Sequence, residues 1–426
     1  MIRTIRMLSV ASAGVLVISI LGGQTASAQE GAKPGEGFAA VPGQRGYQDT
    51  FGPYEVVQNW PKPLAESMPE LEGWTWSVTM DVFAESPDRI YLVQKGILPI
   101  LEPGPRQWLP EVGVGIRFPI FRLPLRQAGG AIPNRPSWEE SDGGRPGIDW
   151  RWEHYVMVVN REGEVVESWT QWDDLWARPH DVEISPYDPD KHVWIVDADG
   201  HFMAKVTNDG SELVQMFGEP GVPGDDDEHF RRPTFLVFMD ENTFYLADGY
   251  DNTRVIKYDM DGNILTQWGE LGRGQGQEDR PGYWNNVHGI AVDPTTRRVF
   301  VNDRDNGRVQ VFDEDGNYLD EWNFWQGRRG QPHDIHSFIV TSDHKLWAAD
   351  QGTHKIVGYD LDGFYLYSWG SWGEYAGGMW GVHGMSTDQE GNFYTASVNN
   401  GRIMKFRLRE GANTDFAVGK PWPGVW

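Results

Sequence analysis

The chain has 426 residues, no cysteine, and 62 acidic against 37 basic side chains, for a formal charge of −25. Lack of cysteine excludes a disulfide scaffold, thiolate catalysis and Cys-ligated zinc, so any transition-metal site must be built from His, Asp or Glu. The acidity argues against nucleic acid or an anionic membrane as partner. The 21 Trp and 51 Gly suit many short strands joined by tight turns, with rings packed between sheets.

Residues 1–28 have the layout of a signal peptide. Arg3 and Arg6 form a basic start, Met7 to Gly23 an apolar run, and Ala26-Ser27-Ala28 a small-residue cleavage site. Cleavage after Ala28 would give a periplasmic or secreted protein without a membrane span and, with two arginines gone from −25, a charge of −27. Residues 29–70 are rich in Gly and Pro and read as an N-terminal extension.

Strand patterning starts near residue 71 with WSVTMDVF and RIYLVQKG. It breaks at an insertion of about 97–152 and resumes with HYVMVVN. An insertion this long suits a lid or a protein-partner surface. One unit then recurs to about residue 412: RPHDVEIS from Arg178, RRPTFLVF from Arg231, NVHGIAVD from Asn286, QPHDIHSFIV from Gln331 and GVHGMSTD from Gly381. Each opens an inner strand that a second and a third strand follow, with a fourth in most units. Such a period signals a propeller or solenoid. Six four-stranded units predict an all-β, six-bladed β-propeller with an N-terminal arm, a first-blade insertion and a C-terminal tail over 413–426. The last unit lacks a fourth strand of its own, and the arm around Tyr54 to Val57 can supply it and close the ring.

Asp-x-Asp-Gly at Asp259, Asp313 and Asp360 resembles the start of a calcium loop. It lacks the closing glutamate and recurs between third and fourth strands, which reads as a hairpin turn. The histidines are more informative. Of 11, four stand just ahead of an inner strand: His180, His288, His333 and His383. His180, His288 and His383 fall in blades two, four and six, about 120° apart on a six-fold ring whose inner strands line the channel. Three imidazoles with an open fourth position suit a catalytic zinc. The same histidines could instead bond backbone at a tight turn. His333 breaks the alternation and stands, with Asp334 and Asp181, as a further ligand or supporting group.

The strand motifs ADGYDNTRVIKY from Ala247 and NDRDNGRVQVF from Asn302 resemble NHL-repeat propellers. Together with RPHDV, TQWGE and VHGIAVD in that order, they resemble peptidyl-α-hydroxyglycine α-amidating lyases over roughly residues 74–410. The resemblance implies zinc on His180, His288 and His383 and Tyr250 as the base. It also implies a small-molecule or peptide C-terminal substrate, cleaved at an N–Cα bond to an amide and glyoxylate. An arginine that the family carries after the second strand of blade one corresponds to Lys95, which would hold the substrate's acid group. The family's calcium-linked aspartate after the third histidine is Gly384 here, while Asp181 and Asp334 follow other histidines. Two other readings stay open: another metal-dependent propeller enzyme of hydrolase or lactonase type, and a non-catalytic NHL propeller that binds a partner.

Overall fold

The structure is a computed structural model that describes residues 49–100, 151–272, 280–323, 335–373, 375–399, 401–420 and 422, and the strands Gln107–Trp108 and Arg117–Phe118. Residues 1–48, which include the segment read as a signal peptide, lie outside the described residues, as do His333, Asp334 and most of the blade-one insertion. No helix among the described residues is long and apolar enough to cross a membrane.

Six four-stranded antiparallel sheets form the blades of a β-propeller. Five run in simple chain order from inner to outer strand. Blade six joins both ends of the propeller: Tyr54–Val56 pairs with Arg402–Leu408, with Tyr54 opposite Leu408. A strand from the arm thereby covers what would be an open edge. Further along the arm, Trp60, Leu64 and Leu71 are buried between blades six and one. The insertion leaves from a stem in which Ile97–Pro99 pairs with Trp74–Trp76 and Ile97 bridges to Arg151.

The core is divided among the blade interfaces. Six apolar clusters each mix residues of two neighbouring blades, for instance Trp194 with Phe238 and Phe244 between blades two and three. Alternating strand residues that face either side of a blade thus meet a partner sheet on both faces, which explains the apolar runs in the inner strands.

The Asp-x-Asp-Gly segments are hairpin turns, in which the Asp259, Asp313 and Asp360 carboxylates accept local backbone N–H groups. Each turn also docks on the preceding blade. A Cβ on Gly316, which has φ +84°, would lie 2.7 Å from the Trp268 ring, and one on Gly363 would lie 2.5 Å from Trp322. Gly316→Ala combines left-handed strain with overpacking and is expected to lower stability by about 2 kcal/mol, read as a lower urea midpoint at unchanged m-value.

Candidate active site

The repeated aspartate at the end of a second strand positions the loop ahead of the inner strand. Asp197 accepts the N–H of Ala177 (2.7 Å), Asp248 that of Arg231 (3.0 Å) and Asp303 that of Asn285 (2.7 Å). In each case the donor stands three residues ahead of the channel slot. All six inner strands then shift register at the slot, as at Pro179/Asp181, Val287/Ile290 and Val382/Gly384. A bulge there turns the slot residue toward the axis.

Ladder register identifies the slot in every blade. Pro179 pairs with Asp197, Pro233 with Asp248, Val287 with Asp303, Ile335 with Asp350, Val382 with Ser397 and Thr79 with Gln94. The residues that follow are His180, Thr234, His288, His336, His383 and Met80. In blade five the slot therefore belongs to His336, three residues beyond the His333 that sequence matching selected. The two Pro-His segments misled because register depends on ladder pairing, which the short motif does not encode.

His180, His288 and His383 converge. Each is buried, and ligand atoms of all three lie within 4.8 Å of one another. Each ring is held by the next blade. His180 Nδ1 bonds Thr234 O (2.9 Å), His383 Nδ1 bonds Met80 O (2.8 Å), and His288 Nδ1 bonds His336 O. A carbonyl can only accept, so each Nδ1 carries hydrogen and each neutral ring presents Nε2 as a bare lone pair. Burial pushes all three pKa values well below the usual histidine range, assisted by His383 and Arg178 at His180, by Arg304 at His288 and by His336 at His383.

Tyr250 completes the centre. Its hydroxyl lies 3.0 Å from His180 Nε2 and 2.8 Å from His288 Nε2, while His383 Nε2 is buried without a partner. One phenolic hydrogen can serve only one of these three acceptors. A cation among them would satisfy the others, and neutral nitrogen donors backed by backbone carbonyls are the donor set that zinc prefers. The residues present fit that metal. Phe235 packs against His180 and His383 (ring centroids 4.9 and 5.5 Å), so blade three, whose slot holds Thr234, gives the centre an apolar wall. His336 comes near His288 and His383 but engages Gln351, and it is not among the converging ligands.

Charge at the centre is unlike that of the whole chain. The guanidinium groups of Arg178 and Arg232 lie over the Tyr250 ring at 5.0 and 4.7 Å from its centroid. Asp199 bridges them, 3.2 Å from Arg178 Nη2 and 3.0 Å from Arg232 Nε. Lys95, directly after the second strand of blade one, is buried beside them. Burial, reinforced by Arg178 and Arg232 and opposed by Asp199, pushes its ammonium down to about 7. Sequence reading missed Arg178, Arg232 and Arg304. For the first two a signal existed, since both stand in an Arg-Pro pair directly ahead of a slot.

Beside the histidines, Asp181 faces Asp81 instead of joining the triad. Asp81 accepts the Val182 N–H (3.1 Å) and Asp181 that of Leu236 (2.7 Å), leaving Asp181 Oδ1 buried without a partner. A Cβ on Gly384 would lie 2.0 Å from Asp81 Oδ1. Blade one thus delivers a carboxylate into the space where a side chain after the third histidine would sit. Burial raises both acids, Asp181 toward about 7, and Asp81 rises further through the charge of its neighbour.

No protein-family model matches the chain. Over 157 residues it is 29% identical to the probable peptidyl-alpha-hydroxyglycine alpha-amidating lyase of Caenorhabditis elegans, covering 37% of this chain and 42% of that protein. It is 31% identical over 166 residues to peptidylglycine alpha-amidating monooxygenase of Rattus norvegicus, covering 38% of this chain and 16% of that protein. NHL repeat-containing protein 3 of Homo sapiens is 33% identical over 177 residues, 39% of this chain and 48% of that protein. The matches thus span less than half the length of these curated relatives. Among solved structures, a streptogramin B lyase aligns with 78% of this chain and 94% of that chain at 12% identity and a TM-score of 0.45. The chain is a six-bladed β-propeller that resembles NHL-repeat proteins and, at about 30% identity, the amidating lyases.

Proposed function

We propose that this protein is an exported, zinc-dependent lyase that cleaves the N–Cα bond of a peptidyl- or acyl-α-hydroxyglycine, releasing an amide and glyoxylate. The observation that carries the reading is the meeting of three buried, backbone-anchored histidines with the Tyr250 hydroxyl. Similarity to proteins named for this lyase activity supports it. The leader-like composition of residues 1–28 supports export.

His180, His288 and His383 would hold the metal, which when bound supplies a Lewis acid for the substrate's oxygens. Tyr250 takes the proton of the α-hydroxyl. As the oxygen forms its carbonyl bond to Cα, the N–Cα bond breaks and the amide nitrogen gains a proton. The reaction needs neither water nor an oxidant. Arg178 and Arg232 stand where they would balance the charge of an ionised phenol. Lys95 meets the acid group that leaves with glyoxylate, and Phe235 keeps one wall dry.

The test is glyoxylate release from benzoyl-α-hydroxyglycine by the mature protein, zinc-loaded and after chelation. Release that disappears on chelation and returns with zinc is expected. No release from protein carrying one zinc per chain would overturn the lyase assignment and favour another metal-dependent reaction at the same ring.

A further inference from the structure

Beyond the slot residues, the inner strands of all six blades enclose a cavity of about 150 Å³ with a mainly apolar wall. Phe235, whose ring packs on His180 and His383, also lines this cavity, which therefore adjoins the histidine centre. At its other end stand Thr341 and Thr387, the last residues of two inner strands, with Trp422, which packs on His344 in the turn after blade five's inner strand. Phe83, Glu183, Val237 and Ile339, each three residues past its slot, are partly exposed, whereas the three channel histidines are buried. Solvent therefore reaches the cavity from the Trp422 end.

The polar part of this wall is one-sided. Asp81, Asp181 and Glu183 are its ionisable members, and no Lys, Arg or His lines it among the described residues. One oxygen of Asp81 accepts the Val182 N–H and one of Asp181 the Leu236 N–H. The other Asp181 oxygen, Oδ1, and the Ser337 hydroxyl have no hydrogen-bond partner among the described residues, on side chains only 1% and 4% exposed. They line the cavity from opposite blades, two and five. Buried polar atoms of this kind call for a partner inside the cavity. A proton shared between Asp81 and Asp181 would serve Oδ1 but leave Ser337 and the Glu183 charge as they are.

We propose that the channel binds a small organic cation here, a primary ammonium on a compact apolar body. An ammonium carries only donors, which suits Asp181 Oδ1, the Glu183 carboxylate and the Ser337 hydroxyl as acceptors. The body packs against Phe83, Phe235, Phe338 and Met385, where removal from water stabilises it. Cavities of about this volume accept a benzene-sized molecule. A hard divalent cation instead surrounds itself with about six to eight oxygens, which a mainly apolar wall does not supply. Binding at this site needs no turnover at the histidine centre.

The experiment compares cyclohexylammonium with cyclohexanol, which share a ring and differ in the charged donor. The amine, like a lysine side chain, stays protonated at about pH 7. Calorimetry on the zinc-loaded protein is expected to show roughly ten- to hundredfold tighter binding of the ammonium, the range of a charge-assisted contact. Glu183→Gln keeps the shape of the side chain and removes its charge. It should weaken the ammonium by about tenfold or more and leave cyclohexanol within about threefold. If Glu183→Gln fails to fold, Ser337→Ala carries the same test, with a loss of about two- to tenfold on the ammonium. Equal affinity for the two compounds, or none for the ammonium, overturns the proposal. So does a preference that survives Glu183→Gln unchanged, which would place the amine at the zinc. Displacement of the ammonium by an equal concentration of calcium also overturns it and gives the acids to a metal.

Discussion

Tyr250→Phe should lower kcat on an α-hydroxyglycine substrate by about 10²–10⁴-fold while one zinc per chain remains bound. That range is what a positioned general base contributes. The substitution removes a single oxygen, the one that stands 3.0 and 2.8 Å from His180 and His288 Nε2. The ring itself stays against the Arg178 and Arg232 guanidinium groups, so phenylalanine keeps its shape and its cation–π contacts. None of the three histidine anchors involves the hydroxyl, since each runs from Nδ1 to a carbonyl of the next blade. Glyoxylate assays paired with metal analysis check the result. Full activity in the variant would remove Tyr250 from the chemistry, and loss of zinc would make it a support of the metal instead.

The second large effect belongs to the histidines. His383→Ala is expected to weaken zinc binding by more than about a hundredfold, because losing even a group that supports a ligand costs 10–100-fold. Zinc at 100 times its dissociation constant stabilises the wild type by about 2.7 kcal/mol through mass action. The shift in Tm on adding zinc should therefore vanish in His383→Ala. His336→Ala provides the contrast. Its ring is not among the converging ligands, and its carbonyl, which anchors His288, survives the substitution. Zinc stoichiometry should stay at one per chain. A variant at His336 that lost zinc as completely as one at His383 would show four ligands instead of three.

What was legible without coordinates was whatever repeats along the chain. The recurring unit predicted six blades, and the missing outer strand of the last pointed to Tyr54–Val57, where Tyr54–Val56 indeed pairs. Alternation of His180, His288 and His383 around a six-fold ring predicted their convergence, which their mutual distances show. A repeat carries such information because equivalent positions must occupy equivalent places about the axis.

Strand register and side-chain contacts were not legible. The slot of blade five went to His336 because ladder pairing and a bulge, not a Pro-His motif, set the register. The carboxylate beside Gly384 comes from Asp81, 303 residues away in the chain, since ring closure makes the last blade and the first neighbours. Arg178 and Arg232 meet over Tyr250 for a related reason: the loops that carry them come from different blades, and only packing decides which way their side chains lean. By itself, then, the sequence determined the blade count, the closing strand and the three histidines, because each follows from periodicity and β-patterning. The tertiary structure decided the protonated nitrogen of the three channel imidazoles, the meeting of Asp81 with Asp181 and the cationic rim, because these depend on contacts between residues that the repeat places in different blades.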